Sequence, residues 1–276
     1  MIDLHSHTNE SDGSFSPAGL VAEAVSRKLE ALAITDHDTF AGYDLAVPHA
    51  RDAGLELICG IELSTKLRGK TVHLLGYFLH DAPAPEFRAW LTGMQHSRRD
   101  RNVRLAERLQ SLGLAITLEE VERLGRSLTG RPHFAKLLVQ KGYVSNIQDA
   151  FDQYLGEDAK GYVDRREPQL ADAIRLILDA GGLPSVAHPV RLRRFGEFDP
   201  LAAEMREMGL RAIEIYHSEH PPERVVEYRS TARRYGLAYT GGSDFHGEVK
   251  PSIELGSGLN GNLKIPRSLL DDLRRV

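Results

Sequence analysis

The sequence predicts an α/β fold, and the form it favours is a closed or nearly closed β/α barrel of about seven strands. Short apolar runs recur along the chain, and several are nearly continuous in Ile, Leu, Val and Ala, as strands buried on both faces should be. Helical patterns separate most of these runs, which is typical of parallel strands joined by crossover helices. An open doubly wound sheet is the alternative, but no glycine-rich phosphate loop follows the first run.

The predicted elements follow one another in a regular order. The first helix should begin at Pro17 with Ser16 as its N-cap, because proline is favoured in the first helical turn. Pro48 fits poorly inside the second helix, and we expect it to kink or shorten that helix. Strands are expected over residues 2–5, 31–35, 55–63, 71–78, 183–187, 212–216 and 237–241, and further helices over 43–53, 169–180, 199–208 and 222–235.

The alternation of strands and helices stops between residues 81 and 161, where the pattern is helical throughout. Helices are expected there over 85–112, 118–124, 132–141 and 147–155. A proline-containing stretch precedes them and a glycine-bounded stretch follows them. We therefore expect residues 81–161 to form a helical insertion that caps the active site of a barrel built from residues 1–80 and 162–276.

Composition describes an ordinary globular chain of 276 residues, 41% hydrophobic and 27% charged, with a net charge of −4. No run approaches the roughly 18 apolar residues of a membrane span, and Asp3, His5 and His7 interrupt any N-terminal signal segment. The net charge argues against bulk DNA binding, which depends on many phosphate contacts, but allows a small anion in a locally positive pocket. Cys59 is the only cysteine, so no intramolecular disulfide can form and the expected location is cytoplasmic.

Histidine and acidic side chains occur where the predicted apolar strands end. In a β/α barrel the carboxyl ends of the strands carry the functional side chains, so these groups should meet on one face. His5 and His7 lie two positions apart on a strand and therefore point to the same side. The full set comprises His5, His7, Asp12, His37, Glu62, His73, His188, Asp244 and His246.

These side chains are of the types that bind divalent transition metals. Imidazole and carboxylate are the usual ligands of Mn²⁺, Zn²⁺ and Fe²⁺, and nine such groups suit two or three ions with one carboxylate bridging. A single histidine at a strand end is more often an ordinary hydrogen-bonding residue. All nine on one face would be costly without cations to compensate them. We expect Asp3 to orient a histidine rather than to bind metal.

The motifs that carry these residues resemble those of the PHP (polymerase and histidinol phosphatase) family. They are Asp3-x-His5-x-His7, Thr35-Asp36-His37-Asp38, Gly60-Ile61-Glu62, His73, Ala187-His188-Pro189 and Gly242-Ser243-Asp244-Phe245-His246. Their order, spacing and residue types match through both halves of the predicted barrel. The resemblance implies a distorted seven-stranded β/α barrel, with manganese as the commonest metal and zinc or iron as alternatives.

The resemblance also implies how the ligands are shared. One ion would be bound by His5, His7, Glu62 and Asp244; a second by Glu62, His73 and His188; and a third by Asp12, His37 and His246. Such a cluster suits phosphoester hydrolysis by direct attack of a metal hydroxide, which makes Asp12, His37 and Glu62 part of the catalytic centre. His217 and His220, after the sixth strand, could protonate a leaving oxygen or contact phosphate, or could be exposed loop residues.

The predicted insertion carries the candidate substrate contacts. Arg98 and Arg101 lie on the continuation of the apolar stripe of its first helix, with Asn102 at the edge. Arginines on an inward face need an anionic partner, either a substrate phosphate or a nearby acid.

A second group of candidates lies at the start of another helix in the insertion. Pro132 places Arg131 and His133 near a helix N-terminus, which suits phosphate. Phe134 could stack on a base, or could fill the core of the insertion.

The insertion resembles that of short PHP proteins that act on nucleotides. The leading hypothesis is therefore a metal-dependent phosphoesterase that removes the 3′-phosphate of a 3′,5′-bisphosphate nucleotide or cleaves short 5′-phosphorylated RNA. A phosphatase for histidinol phosphate or another small phosphomonoester is the first alternative, although a compact amino-alcohol pocket does not require an arginine-rich cap. A non-catalytic metal-stabilised binding module is the alternative from another class. The expected partner is a small phosphorylated substrate.

Overall fold

A barrel-shaped sheet of seven strands forms the centre of the protein in the computed structural model, which describes residues 1–125 and 128–276. Neighbours in the sheet follow chain order. The first strand meets the last through hydrogen bonds from Leu4 N to Gly241 O (3.1 Å) and from Asp244 N to His5 O (2.9 Å), so the barrel is nearly closed, as predicted. The strands are β1 (Ile2–Asp3), β2 (Ala31–Ile34), β3 (Glu56–Leu67), β4 (Lys70–Phe78), β5 (Leu183–Val186), β6 (Ala212–His217) and β7 (Ala238–Gly242).

One strand runs against its neighbours, and this corrects the expectation of a parallel sheet. β4 is antiparallel to both β3 and β5, whereas the other neighbouring pairs of the barrel are parallel. The cause is a two-residue turn, Arg68-Gly69, in which both residues have positive φ angles of 48° and 75°. Turns of this kind join antiparallel strands directly, without the helix that a parallel crossover needs. This reversal is a distortion of the kind that the family resemblance implied.

Helices surround the barrel and form the insertion. The Ser16 side chain accepts a hydrogen bond from Gly19 N (3.1 Å) at the predicted start of α1. The expected shortening at Pro48 is wrong, since α2 continues past this residue. In the described residues the α-helices are α1 (Pro17–Ser26), α2 (Ala41–Ala53), α3 (Pro85–Ser111), α4 (Leu118–Glu122), α5 (Arg131–Gln140), α6 (Ile147–Ala150), α7 (Leu170–Asp179), α8 (Phe198–Glu207), α9 (Pro222–Tyr235) and α10 (Arg267–Leu273).

The second half of α3 and helices α4, α5 and α6 pack around an apolar core of their own. Leu109, Ile116, Phe134 and Leu138 are fully buried in it. The helix predicted over residues 147–155 is not a single α-helix, because α6 passes into a π-helical turn over Phe151–Leu155. None of the helices in the described ranges combines the length and apolarity that a membrane crossing requires. The exact limits of the insertion stay a prediction.

Candidate active site

The nine predicted metal ligands lie together at one end of the barrel. Eight of them, all except His188, belong to overlapping groups, and within each group the donor atoms lie within 4.8 Å of one another. Two of these groups each contain all the ligands expected for one ion. A third contains Glu62 and His73, two of the three ligands expected for the remaining ion. These three groups are His5, His7, Glu62 and Asp244; His7, Asp12, His37 and His246; and His37, Glu62 and His73. A fourth group joins His5 to Glu214 and His217.

Glu62 lies at the centre of the cluster. Its Oε1 is 2.8 Å from His73 Nδ1 and 3.0 Å from His188 Nε2. Its Oε2 is 3.1 Å from His7 Nε2 and 3.3 Å from His37 Nδ1. The expectation that Glu62 ends its strand is wrong: β3 continues to Leu67, and Glu62 faces the point where the neighbouring parallel strand stops. Both carboxylate oxygens are therefore available to separate ions, as a bridging ligand requires.

The donor set fits divalent cations. His7 Nε2 and His37 Nδ1 are buried and approach Glu62 Oε2, yet among the described residues neither has a hydrogen-bond partner. Nitrogen and carboxylate oxygen atoms that converge without hydrogen-bond geometry present their lone pairs to a common point. A cation at that point satisfies all of them, so these residues can hold metal ions.

The protonation of the cluster is strongly perturbed. Burial raises the pKa of the Glu62 carboxyl, but the neighbouring His37 and His73 outweigh burial and hold that pKa well below its usual range. Burial lowers the pKa of His37 to about 3. Burial also acts against a charged His7, but contacts with Asp244 and Glu62 outweigh it and raise the pKa of His7 to about 9. The site therefore concentrates carboxylate charge that cations would compensate.

Asp3 lies beside the cluster but belongs to none of its groups, and its predicted role in orienting a histidine side chain stays a prediction. Its carboxylate accepts hydrogen bonds from Ser243 N (2.9 Å), Ser243 Oγ (2.6 Å), Gly256 N (2.7 Å) and His5 N (3.2 Å). These bonds tie β1 to the loop after β7. They place His5 and His7, the predicted ligands at the start of the chain, beside Asp244 and His246.

Arginines from the insertion extend the site beyond the metal cluster. Arg98, Arg101 and Arg131 line a cavity of about 300 Å³ together with Asp12, Glu62 and other members of the cluster. Arg98 is buried and paired with Asp38. Arg131 donates a hydrogen bond to Leu155 O (3.3 Å). The insertion thus contributes a positive wall to the cavity that members of the predicted metal cluster also line.

Arg101, unlike Arg98, lacks a carboxylate partner within the described residues, and unlike Arg131 it is buried. Its side chain is buried, and Nε donates a hydrogen bond to Asn102 Oδ1 (3.0 Å). Burial lowers its pKa well below the usual value, and the nearby charges of Arg98 and Arg131 add to this effect. A buried guanidinium in such a place is stabilised by an anion.

This arrangement agrees with comparisons to known proteins. Residues 3–164 match the model of the PHP domain. The chain belongs to the PHP family. This PHP chain is 33% identical to the 5′-3′ exoribonuclease of Haemophilus influenzae, over 94% of each chain. It is 30% identical to the 3′,5′-nucleoside bisphosphate phosphatase of Chromobacterium violaceum, over 92% of this chain and 90% of that one.

A solved structure supports the same assignment. A Bifidobacterium adolescentis protein described as a metal-dependent phosphoesterase shares 33% identity and a TM-score of 0.86, over 98% of this PHP chain and 94% of that chain. The predicted family, the barrel and the enzyme class, a metal-dependent phosphoesterase, are therefore confirmed.

Other predicted contacts of the PHP chain lie away from the cavity. Phe134 is fully buried in the insertion core, so its ring offers no surface to a base. Asn102 is also fully buried, and its Nδ2 donates to Thr129 O (3.0 Å). His133 Nδ1 accepts a hydrogen bond from Gly130 N (3.1 Å), and its ring lines a neighbouring cavity. Asn102 and His133 therefore shape the segment around residue 130.

His217 and His220 are both buried, so the alternative of exposed loop histidines is wrong. His217 Nδ1 accepts a hydrogen bond from Glu219 N (3.1 Å), and its Nε2 lies 3.5 Å from Asp244 Oδ2. His220 Nδ1 lies 2.9 Å from Ile215 O. Neither residue lines the cavity, and their role in proton transfer stays a prediction.

Sequence reasoning missed several charged residues of the site. Glu214 in β6 is fully buried; its Oε1 lies 2.7 Å from His5 Nδ1, and its Oε2 accepts a hydrogen bond from His188 N (2.6 Å). The sequence signal that could have indicated Glu214 is an acidic residue inside a predicted apolar strand. Arg191 and Lys250 approach Asp244 Oδ2 at 3.0 Å and 2.7 Å, and both line the cavity. No pattern in the sequence distinguishes them from surface cations.

Proposed function

We propose that this protein removes the 3′-phosphate from nucleoside 3′,5′-bisphosphates. The metal cluster would bind the scissile phosphate, and the arginines of the insertion would bind the other one. The names of two relatives support a nucleotide substrate, and the cavity supports one with two separated anionic groups. The single cysteine and this class of substrate both favour a cytoplasmic location.

We assign two or three divalent ions to the cluster, with manganese favoured and zinc or iron as alternatives. His5, His7, Asp12, His37, Glu62, His73, His188, Asp244 and His246 would hold them, with Glu62 as the bridge. Bound ions of this kind acidify a water molecule to a nucleophile and neutralise the charge of a phosphoryl group.

The protein's own residues would position the reacting groups. Glu214 accepts the Nδ1 proton of His5 and so aims Nε2 of that ring into the cluster. Arg191 and Lys250 lie beside Asp244 at the cavity edge, where they can contact oxygens of the scissile phosphate. Arg165, which pairs with Asp38 at 2.9 Å, extends the positive wall towards the linker after the insertion.

Arg101 is the observation that carries the substrate assignment. A buried guanidinium without a carboxylate partner is expensive, and phosphate is the anion that arginine binds with two parallel hydrogen bonds. Because Arg101 lines the same cavity as the metal cluster, a second phosphate of the substrate can reach it. A simple phosphomonoester bound at the metal cluster would leave the Arg101 guanidinium without an anionic partner.

We expect Arg101→Ala to lower kcat/KM for adenosine 3′,5′-bisphosphate roughly 10- to 150-fold, because a hydrogen bond to a charged group contributes about 1.5–3 kcal/mol. Hydrolysis of adenosine 3′-monophosphate should change little. Arg104→Ala is the matched control, since Arg104 is on the same helix but points to solvent and donates to Asp164 O. Phosphate release in the presence of Mn²⁺ measures both reactions.

Two results would count against this substrate. One is equal loss of activity by Arg101→Ala on the bisphosphate and the monophosphate. The other is a wild-type preference for histidinol phosphate or for a simple phosphomonoester. Metal content should be the same in both variants, which separates substrate binding from damage to the cluster.

Cleavage of short 5′-phosphorylated RNA is the second candidate. A further cavity of about 550 Å³ adjoins the first and shares Asp12, Pro132, Ile147 and Val249 with it. Arg123 and Lys136, both exposed, line its outer part. Cationic side chains along a groove suit a nucleic acid backbone. Release of mononucleotides from a 5′-phosphorylated trinucleotide tests this activity, and its absence would restrict the enzyme to mononucleotides.

A further inference from the structure

The cavity beside the metal cluster has an apolar wall that neither the metals nor the arginines explain. Pro132, Ile147, Phe151 and Val249 form this wall, and each is only half-buried. They come from α5, α6, the π-helical turn and the loop after β7. Apolar side chains from four segments thus remain open to one small space that is otherwise charged.

The π-helical turn determines where Phe151 stands. Phe151 is the first residue of the turn, and its carbonyl accepts a hydrogen bond from Gly156 N (2.8 Å). A Cβ atom at Gly156 would lie 2.9 Å from this carbonyl oxygen, so the close approach requires glycine. At the other end of the turn, Leu155 O accepts the hydrogen bond from Arg131. One turn therefore places an aromatic ring and anchors a cavity arginine.

Phe151 is also supported from behind. Ile147 and Phe151 pack against the buried core of the insertion, which leaves the opposite sides of these side chains towards the cavity. Single-turn π-helices within α-helices often occur at functional sites. The ring is held in place before any ligand arrives, so little conformational entropy is lost on binding.

We propose that Pro132, Ile147, Phe151 and Val249 form a subsite that binds the nucleobase of the substrate, with the base stacked on Phe151. This inference rests on the proposed function, since it completes a cavity that already offers positions for two phosphates. A nucleobase has flat apolar faces, and aromatic rings bind such faces with little regard to base identity. We therefore expect purine and pyrimidine substrates to be accepted.

The size and charge of the cavity favour this ligand over an apolar peptide or a lipid chain. Its volume of about 300 Å³ lies at the lower end of the range of roughly 300–1,000 Å³ that holds small molecules. Arg101 and Arg131 share the cavity with the apolar wall. A ligand that is apolar at one end and doubly anionic elsewhere matches all its surfaces.

The first experiment needs no variant. KM and kcat are measured with Mn²⁺-loaded wild-type protein for adenosine 3′,5′-bisphosphate and for its abasic analogue, which has hydrogen in place of the base. We expect KM to be about 5- to 150-fold higher for the abasic substrate, the range that corresponds to one base–aromatic stack. Equal KM values for the two substrates would overturn the subsite.

Phe151→Ala should raise KM for the adenosine substrate by the same factor and leave KM for the abasic analogue unchanged. Phe151→Tyr keeps the aromatic face and should restore the wild-type value. Gln153→Ala is the matched control, because Gln153 is exposed on the same π-helical turn. An equal effect of Phe151→Ala on both substrates would show a structural role and overturn the proposal.

These measurements separate the two proposals. If wild-type protein hydrolyses both bisphosphates equally well, the base subsite is wrong and the proposed function stands. If it hydrolyses neither, the proposed function fails and the subsite fails with it. Should Phe151→Ala not fold, the comparison of the two substrates on wild-type protein still decides the question.

Discussion

At the scale of single residues, Glu214 determines how His5 can meet a metal ion. One carboxylate oxygen contacts His5 Nδ1 and the other accepts the backbone N–H of His188, so two predicted ligands depend on it. A carboxylate that holds the far nitrogen of a histidine orients the ring and increases its basicity. Glu214 is therefore expected to act on metal binding through these two neighbours.

Glu214→Gln should weaken Mn²⁺ binding about 10- to 100-fold. The amide loses the negative charge beside His5, and its single oxygen cannot replace the carboxylate oxygens at both His5 Nδ1 and His188 N. Titration calorimetry of metal-free protein measures the affinity. Glu207→Gln, an exposed glutamate at the end of α8, serves as the control. Unchanged affinity in the Glu214 variant would contradict this role.

Most of the predicted ligands could be proposed from sequence because they stand beside an apolar run in a recognisable motif. Glu214 and Arg191 could not, because their partners come from other strands and loops through tertiary contacts. The different environments of Phe134 and Phe151 could not be predicted from sequence either. Helical periodicity does not show that one ring is fully buried and the other half-open, since that depends on packing and on the π-helical turn.

At the scale of elements, α2 packs tightly against the loop that carries His7 and Asp12. Asp36 accepts hydrogen bonds from Thr8 N (2.7 Å) and from Ser11 Oγ (2.6 Å), and so holds this loop. Gly42 in the first turn of α2 lies directly behind Asp36. A Cβ atom at Gly42 would stand 1.9 Å from Asp36 Oδ2 and 2.5 Å from Thr8 Oγ1. The helix can approach the loop only because this residue has no side chain.

Gly42→Ala should lower the free energy of unfolding by about 1–3 kcal/mol, the usual cost of overpacking. Gly93→Ala is the matched control, because a Cβ atom at this exposed site in α3 meets nothing within 4 Å. It should raise the free energy of unfolding by roughly 0.5–1 kcal/mol, since alanine is the better helix former. Chemical denaturation measures both. Similar shifts of the same sign in the two variants would contradict the packing argument.

Element positions followed from sequence more closely than strand directions did. The predicted helices lie within a few residues of observed ones because caps and prolines mark several ends, as Ser16-Pro17 does for α1. The short C-terminal helix α10 was not predicted. The reversal of β4 was less evident, because it depends on a turn whose two residues adopt positive φ angles. The π-helical turn has no distinct apolar period, so the stretch over 147–155 resembled one helix.

At the scale of the whole molecule, the buried carboxylates and histidines of the cluster would be electrostatically unfavourable without bound cations. Bound cations should therefore stabilise the fold as well as the site. At a free metal concentration about 100-fold above Kd, binding adds about 2.7 kcal/mol to the free energy of unfolding. For a chain of this size that corresponds to a rise in Tm of roughly 5–10 °C.

Scanning calorimetry of chelator-treated protein, with and without Mn²⁺, measures this shift. Sodium chloride at matched ionic strength controls for general screening of charge. Identical Tm values with and without Mn²⁺ would contradict the assignment of the cluster as a metal centre.

The near-closure of the barrel has a consequence for the growing polypeptide. His5 and His246 belong to the same cluster, and β1 is held beside the loop after β7 through Asp3 and Ser243. During synthesis the N-terminal strand emerges first but lacks these partners until residue 246 has followed. A ribosome-bound chain that stops before β7 should therefore be unable to assemble the complete cluster, however long it waits.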